Sequence, residues 1–117
     1  MSERNDCIFC RIADGAFGTE FVAQNEHAVA FRDIQPQAPA HLLVVPRRHI
    51  PGLRDLQPED GEVAVALLHM AREVARSEGL LEGGYRVVTN DGADAGQTVF
   101  HLHFHVLGGR KLTGPLA

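Results

Sequence analysis

Two periods run through the apolar positions of this chain. A period of two is clearest over Val99-Phe100-His101-Leu102-His103-Phe104-His105-Val106-Leu107, just ahead of Gly108-Gly109. Successive side chains of a strand point to opposite faces, so His101, His103 and His105 share one face and Leu102, Phe104 and Val106 the other. A helix would scatter these imidazoles around its cylinder. Same-face neighbours in a strand stand about 6.6–7 Å apart, close enough for two imidazoles to serve one small ligand. A period near 3.6 runs over residues 58–78, where Val63, Leu67, Met70 and Val74 form a stripe widened by Ala64, Leu68, Ala71 and Ala75. Pro58 suits a first turn, Glu59, Asp60 and Glu62 suit the positive end of the helix dipole, and Gly79 suits a C′ position. So broad and alanine-rich a stripe permits close packing on two sides, against a sheet and against a second subunit. His69 on this helix reads as structural or solvated.

The shorter stretches complete an order of elements. Ile8, Phe9 and Ile12 fall at helical spacing before Gly15, predicting one or two turns. Glu20–Ala23 and Ala28–Arg32 flank a polar Gln24-Asn25-Glu26-His27, a β-hairpin pattern with His27 solvated in the turn. His41-Leu42-Leu43-Val44-Val45, closed by Pro46, reads as a strand buried on both faces. Arg47 and Arg48 read as a solvated turn in preference to a phosphate contact. Tyr85–Asn90 is β-branched and strand-like, and Asp91–Gly96 is a Gly/Asp loop leading into the histidines. Short helix, strands, long helix, strands predicts an α+β fold: an antiparallel sheet of about five strands with one face covered by the long helix.

Composition narrows the classes. The 117 residues suit one domain spanning 1–117, with no internal repeat or boundary and a short extended tail after residue 110. A net charge of −4 opposes broad nucleic-acid binding, while leaving room for a small anion in a local pocket. No apolar run reaches the length of a membrane span, and Met1–Asp6 has no signal-peptide apolar region, so no membrane partner and a cytoplasmic location are expected. The two cysteines, Cys7 and Cys10, form one C-x-x-C, too sparse for a disulfide framework. They read either as half of a metal site or as two idle thiols.

Histidines on one strand face support two chemistries. Imidazoles at i and i+2 can chelate zinc. Alternatively a neutral imidazole attacks phosphorus to give a phosphohistidine intermediate that water resolves, with neighbouring imidazoles donating to phosphate oxygens and leaving group. The preceding loop favours phosphate: Gly96 lets backbone N–H groups approach an anion, Gln97 and Thr98 offer side-chain donors, and Asn90 can reach the same place.

His101-Leu102-His103-Phe104-His105-Val106-Leu107 resembles the H-φ-H-φ-H-φ-φ signature of the histidine triad (HIT) superfamily of nucleotide hydrolases and transferases. The resemblance extends over residues 7–110. Ala30–Ile34, Pro36–His41, Val45–Ile50 and Gly83–Val88 resemble the Hint branch, whose members are purine nucleoside phosphoramidases. It implies a homodimeric HIT fold acting on a purine nucleotide, with no cofactor for catalysis. His103 would be the nucleophile and His105 the donor to a non-bridging oxygen, with Asn90, Gly96 and Thr98 completing the phosphate site. His41 and His101 would be supporting histidines, Asp33 would accept from the ribose hydroxyls, and Phe17, Phe31, Ile34 and Leu43 would form the base cleft. Cys7 and Cys10 resemble bacterial members in which C-x-x-C joins two histidines, here His49 and His101, around a structural zinc. Where the Hint branch often carries a C-terminal aromatic, this chain has Gly114-Pro115. A dinucleoside polyphosphate hydrolase and a nucleotide-binding module with little turnover are the rival readings.

Overall fold

A computed structural model describes residues 6–113; the expectations for the first five residues and for the end of the tail lie outside them. The chain runs through α1 (Ile8–Ala13), β1 (Ala23–Gln24), β2 (Ala28–Arg32), β3 (Ala40–Pro46), α2 (Gly61–Ser77), β4 (Tyr85–Val88) and β5 (Phe104–Gly108), with short 3₁₀ turns at Leu53–Asp55, Pro58–Asp60 and Ala93–Ala95. The strands form one antiparallel sheet in the order β1-β2-β3-β5-β4. This is the expected α+β arrangement. The apolar run of β3 is buried throughout, as a central strand with both faces covered must be.

Alternation along each strand sorts the core into two layers. Ala28, Ala30, Leu42, Val44, Phe104 and Val106 face α2 and meet Leu67, Met70, Ala71, Val74 and Ala75. Val29, Phe31, Leu43 and Val45 face the other way and meet Cys7, Phe9, Cys10 and Ala13 of the α1 segment. α2 packs on β2, β3 and β5, and the same face of β4 stays open at Tyr85 and Val87. Leu68 of the expected stripe does not join the core under the sheet: it is exposed beside Val65. The helix proper starts at Gly61, because Gln57 and Asp60 form a capping box around a 3₁₀ turn that begins at Pro58.

The largest departure is in the histidine stretch. The regular strand starts only at Phe104, so His101 and His103 precede it. The backbone of this stretch is committed elsewhere: the Leu102 N–H donates to the Ile50 carbonyl at 2.6 Å, and the Thr89 hydroxyl donates to the His103 carbonyl at 2.8 Å. Nor is the histidine face open, since His101 is fully buried and His103 nearly so beneath α1. Arg47 also departs from a solvated turn: it donates to the carbonyls of Asn25 and Ala13 and to the Gln24 side chain, bracing the β1–β2 turn against the end of α1.

Candidate active site

Four histidines gather on the α1 side of the sheet. His105 lies in β5 opposite Leu43, which in turn pairs with Phe31, and His41 of β3 pairs with the next same-face residue, Leu107. His41 and His105 are therefore diagonal neighbours, and their rings meet at 2.9 Å, Nε2 to Nδ1. The His103 and His105 ring centroids are 5.1 Å apart. Phe9 closes over this group edge-on, its centroid 5.0 Å from His103, 6.0 Å from His101 and 5.8 Å from Phe31.

Backbone groups fix the tautomer of each ring, because a carbonyl can only accept and an amide N–H can only donate. His103 Nδ1 stands 2.7 Å from the His101 carbonyl, so it carries the proton and Nε2 keeps its lone pair. His101 Nε2 stands 2.7 Å from the Pro46 carbonyl, so its lone pair is on Nδ1. The Gln37 N–H donates to His41 Nδ1 at 3.0 Å, so His41 Nε2 is the protonated nitrogen and donates to His105 Nδ1. His105 then carries its own proton on Nε2. Burial holds His105 neutral, pushing its pKa down to about 4, with the neighbouring His103 and His41 adding to the shift and Asp33 opposing it. Burial lowers His41 as well, against the opposing charge of Asp33.

The other expected residues fall around this cluster at different depths. Phe31 and Leu43 are buried as its floor, whereas Phe17 is 51% exposed under the Arg11 guanidinium and Ile34 is 95% exposed. Asp33 turns one carboxylate oxygen to the Gln35 N–H at 2.8 Å and the other to His41 Nε2 at 3.4 Å. Asn90 is half-buried beyond the end of β4, and Thr98 is exposed. Gly96 ends the 3₁₀ turn at Ala93–Ala95 with φ +93°, in the left-handed region that favours glycine. Gln97 corrects the expectation of an outward donor. Its Oε1 accepts from the Gly92 N–H, and its Nε2 donates to the carbonyls of Pro51 and Val99, so the buried amide braces the loop from within.

Thr89 and Phe9, which pin and cover His103, were not singled out from the sequence. A threonine at the end of a strand and an apolar residue between two cysteines carry no signal of that contact. The N–H of Gln37 and the carbonyl of Pro46 act through backbone, which residue type does not announce.

A second cluster lies beneath α1. Cys7 and Cys10 Sγ stand 3.2 and 3.4 Å from His101 Nδ1, and Cys10 Sγ stands 3.3 Å from His49 Nδ1. One ligand atom from each residue lies within 4.8 Å of the others. The His101 lone pair is directed at the sulfurs by its Pro46 bond, and two thiols with two imidazoles are a tetrahedral zinc donor set. These residues fit zinc. Asp33, His41 and His105 also converge, but His41 Nε2 holds the ring proton and cannot ligate without losing the Gln37 bond.

Five antiparallel strands with a polarised histidine cluster beside a glycine-bearing loop define an α+β hydrolase of the histidine type. The chain belongs to the HIT domain family, which it matches over residues 16–112. It is similar to the purine nucleoside phosphoramidase of Escherichia coli K12, with 39% identity over 111 residues covering 95% of this chain and 92% of that protein. Among solved structures, a HIT family hydrolase from Legionella pneumophila superposes with a TM-score of 0.91 at 44% identity, covering 95% and 99% of the two chains. A zinc-bound histidine triad family protein from Mycobacterium smegmatis superposes with a TM-score of 0.79 at 33% identity, covering 92% and 77%.

Proposed function

We propose that the protein hydrolyses purine nucleoside phosphoramidates, or related nucleotide conjugates, through a nucleotidyl-His103 intermediate. The observation that carries this reading is the 2.7 Å bond from His103 Nδ1–H to the His101 carbonyl, which leaves Nε2 as the nucleophilic nitrogen. Nε2 attacks the α-phosphorus, and the P–N bond breaks as the amine leaves with a proton taken from solvent; water then attacks the same phosphorus, breaks the bond to Nε2 and releases the nucleoside monophosphate. While phosphorylated the ring carries a positive charge, and the same carbonyl stabilises it. His105, neutral with its proton on Nε2, donates to a non-bridging oxygen, and His41 orients it. Asn90, Thr98 and the backbone at Gly96 complete the anion site. Phe31 and Leu43 form the floor of the base cleft, Phe17 and Ile34 its exposed rim, and Asp33 faces the ribose hydroxyls.

The test is His103→Ala. Turnover of adenosine phosphoramidate is expected to disappear with the circular dichroism spectrum unchanged, and brief incubation of the unmodified protein with substrate is expected to add one nucleotidyl mass to the chain. Retained activity in the variant would sink the assignment. Relative kcat/KM on adenosine phosphoramidate and diadenosine polyphosphate separates this activity from a dinucleoside polyphosphate hydrolase.

Cys7, Cys10, His49 and His101 are the zinc ligands in this reading. The ion would tie α1 to the loop after β3 and to the segment ahead of β5 and take no part in catalysis, which needs no cofactor. Metal analysis of protein purified without added zinc is expected to give one zinc per chain, and Cys10→Ser is expected to remove it. The assembly is a homodimer, supported by the exposed Val65 and Leu68 of α2 and the uncovered Tyr85 and Val87 of β4. The location is cytoplasmic; among the described residues no helix is long and apolar enough to cross a membrane.

A further inference from the structure

We propose that Cys7 and Cys10 are also an oxidation site, a dithiol that a hydroperoxide converts to a Cys7–Cys10 disulfide, moving Phe9 against His103 and reversibly switching the histidine cluster off. The geometry has three parts. Cys7 is the N-cap of α1, and its sulfur accepts the Cys10 N–H at 3.4 Å, so the two cysteines share one turn. Residues three apart on a helix have Cα atoms about 5 Å apart, inside the range a disulfide accepts. Their sulfurs already converge on one nitrogen, His101 Nδ1.

Access differs between the two thiols. A cleft of about 380 Å³, lined by Cys7 and His49 together with Thr98 and Phe100, reaches Cys7, which is 8% exposed. Cys10 is not part of that lining and is 1% exposed. The cleft therefore selects Cys7 as the attacking thiol and Cys10 as the resolving one. Cys7 takes an oxygen from the peroxide, giving a sulfenic acid and an alcohol (water, for hydrogen peroxide). The Cys10 sulfur then displaces that oxygen as a second water, and the disulfide forms. Two thiols have lost two protons and two electrons, and the peroxide has accepted them.

The consequence reaches the active site through one ring. Sulfurs now within 4.8 Å of each other must close to about 2 Å, so the turn that holds them tightens. Phe9 is in that turn, and it is the residue stacked edge-on against both His101 and His103. The same step withdraws the sulfurs from His49 and His101, and a zinc ion held there leaves with them. The loss of turnover rests on the reading of His103 as nucleophile; the disulfide and the ring movement do not.

The experiment treats the reduced full chain with a small excess of hydrogen peroxide and follows three signals. Intact mass under denaturing conditions is expected to fall by about 2 mass units with both maleimide-reactive thiols lost. Ring C–H resonances of His101 and His103 are expected to shift while those of exposed His69 stay. Turnover of adenosine phosphoramidate is expected to drop roughly ten- to a hundred-fold, as for other small misplacements, and to return with dithiothreitol. In Cys10→Ser, dimedone is expected to label Cys7. Persistence of two free thiols, or oxidation straight to sulfinic acid, overturns the site. A missing dimedone adduct overturns Cys7 as the attacking thiol. A disulfide with unmoved His103 resonances overturns the coupling, whereas moved resonances with undiminished turnover support the switch and count against His103 as nucleophile.

Discussion

A neutral imidazole has one donor and one acceptor, and here the backbone decides which nitrogen is which. Three rings within one short stretch receive three different instructions: His101 offers Nδ1 to the cysteines, His103 keeps a lone pair on Nε2, and His105 offers an Nε2 proton. The alternation in the sequence made them look equivalent, because residue type does not show which carbonyl a ring will meet. The depressed pKa of His105 has a consequence for stability. Its folded value of about 4 lies below the unfolded reference of 6.5, so between the two the unfolded chain binds more protons. Stability from this group is complete above about 6.5 and is lost as pH falls through about 4, with His41 acting in the same direction. Urea midpoints of the wild type relative to His105→Gln are therefore expected to decline as pH is lowered from 6.5. A constant difference across that window would mean the ring is not held neutral by burial.

At the scale of elements, β3, α2 and β2 were legible because each is a run of apolar residues with one period, whereas β1 is only Ala23–Gln24, shorter than the expected Glu20–Ala23 and one residue further into the turn. The start of β5 was not legible. His101-Leu102-His103 has the right alternation for a strand, yet its hydrogen bonds go to Ile50 and Thr89 instead of a ladder. Such competition is decided by partners distant in sequence, which a local pattern does not contain. Thr89 therefore acts as a positioning residue that fixes where the His103 backbone sits relative to β4. Thr89→Val keeps the shape and leaves the His103 carbonyl without that donor, at a cost of about 1–3 kcal/mol. A lower melting temperature is expected together with a kcat that falls more than KM changes. If kcat holds while stability drops, the hydroxyl serves the fold alone.

For the whole molecule, the long helix packs on β2, β3 and β5, and the edge strand β4 is left exposed at Tyr85 and Val87 on that side. Val65 and Leu68 are 66% and 58% exposed, and Tyr85 and Val87 continue the apolar surface on β4. A second copy related by a two-fold axis would cover helix and strand at once. Leu68→Glu is expected to halve the mass measured by light scattering; an unchanged mass would place the interface elsewhere. The breadth of the α2 stripe in the sequence made room for two packing surfaces, but it did not include Val65, which is the more exposed of the pair. The base cleft proposed from Phe31, Leu43 and Ile34 rests on resemblance alone, since Phe31 and Leu43 look like ordinary core and Ile34 looks like an ordinary loop residue.

The N–H of Gln37 sets the tautomer of His41, and through it the proton that His105 presents. Only the main chain takes part in that bond. Position 37, between Pro36 and Ala38-Pro39, is therefore open to variation in its side chain and closed to proline alone. A third proline would suit the loop's backbone style, yet it would remove the one donor that gives the histidine pair its polarity.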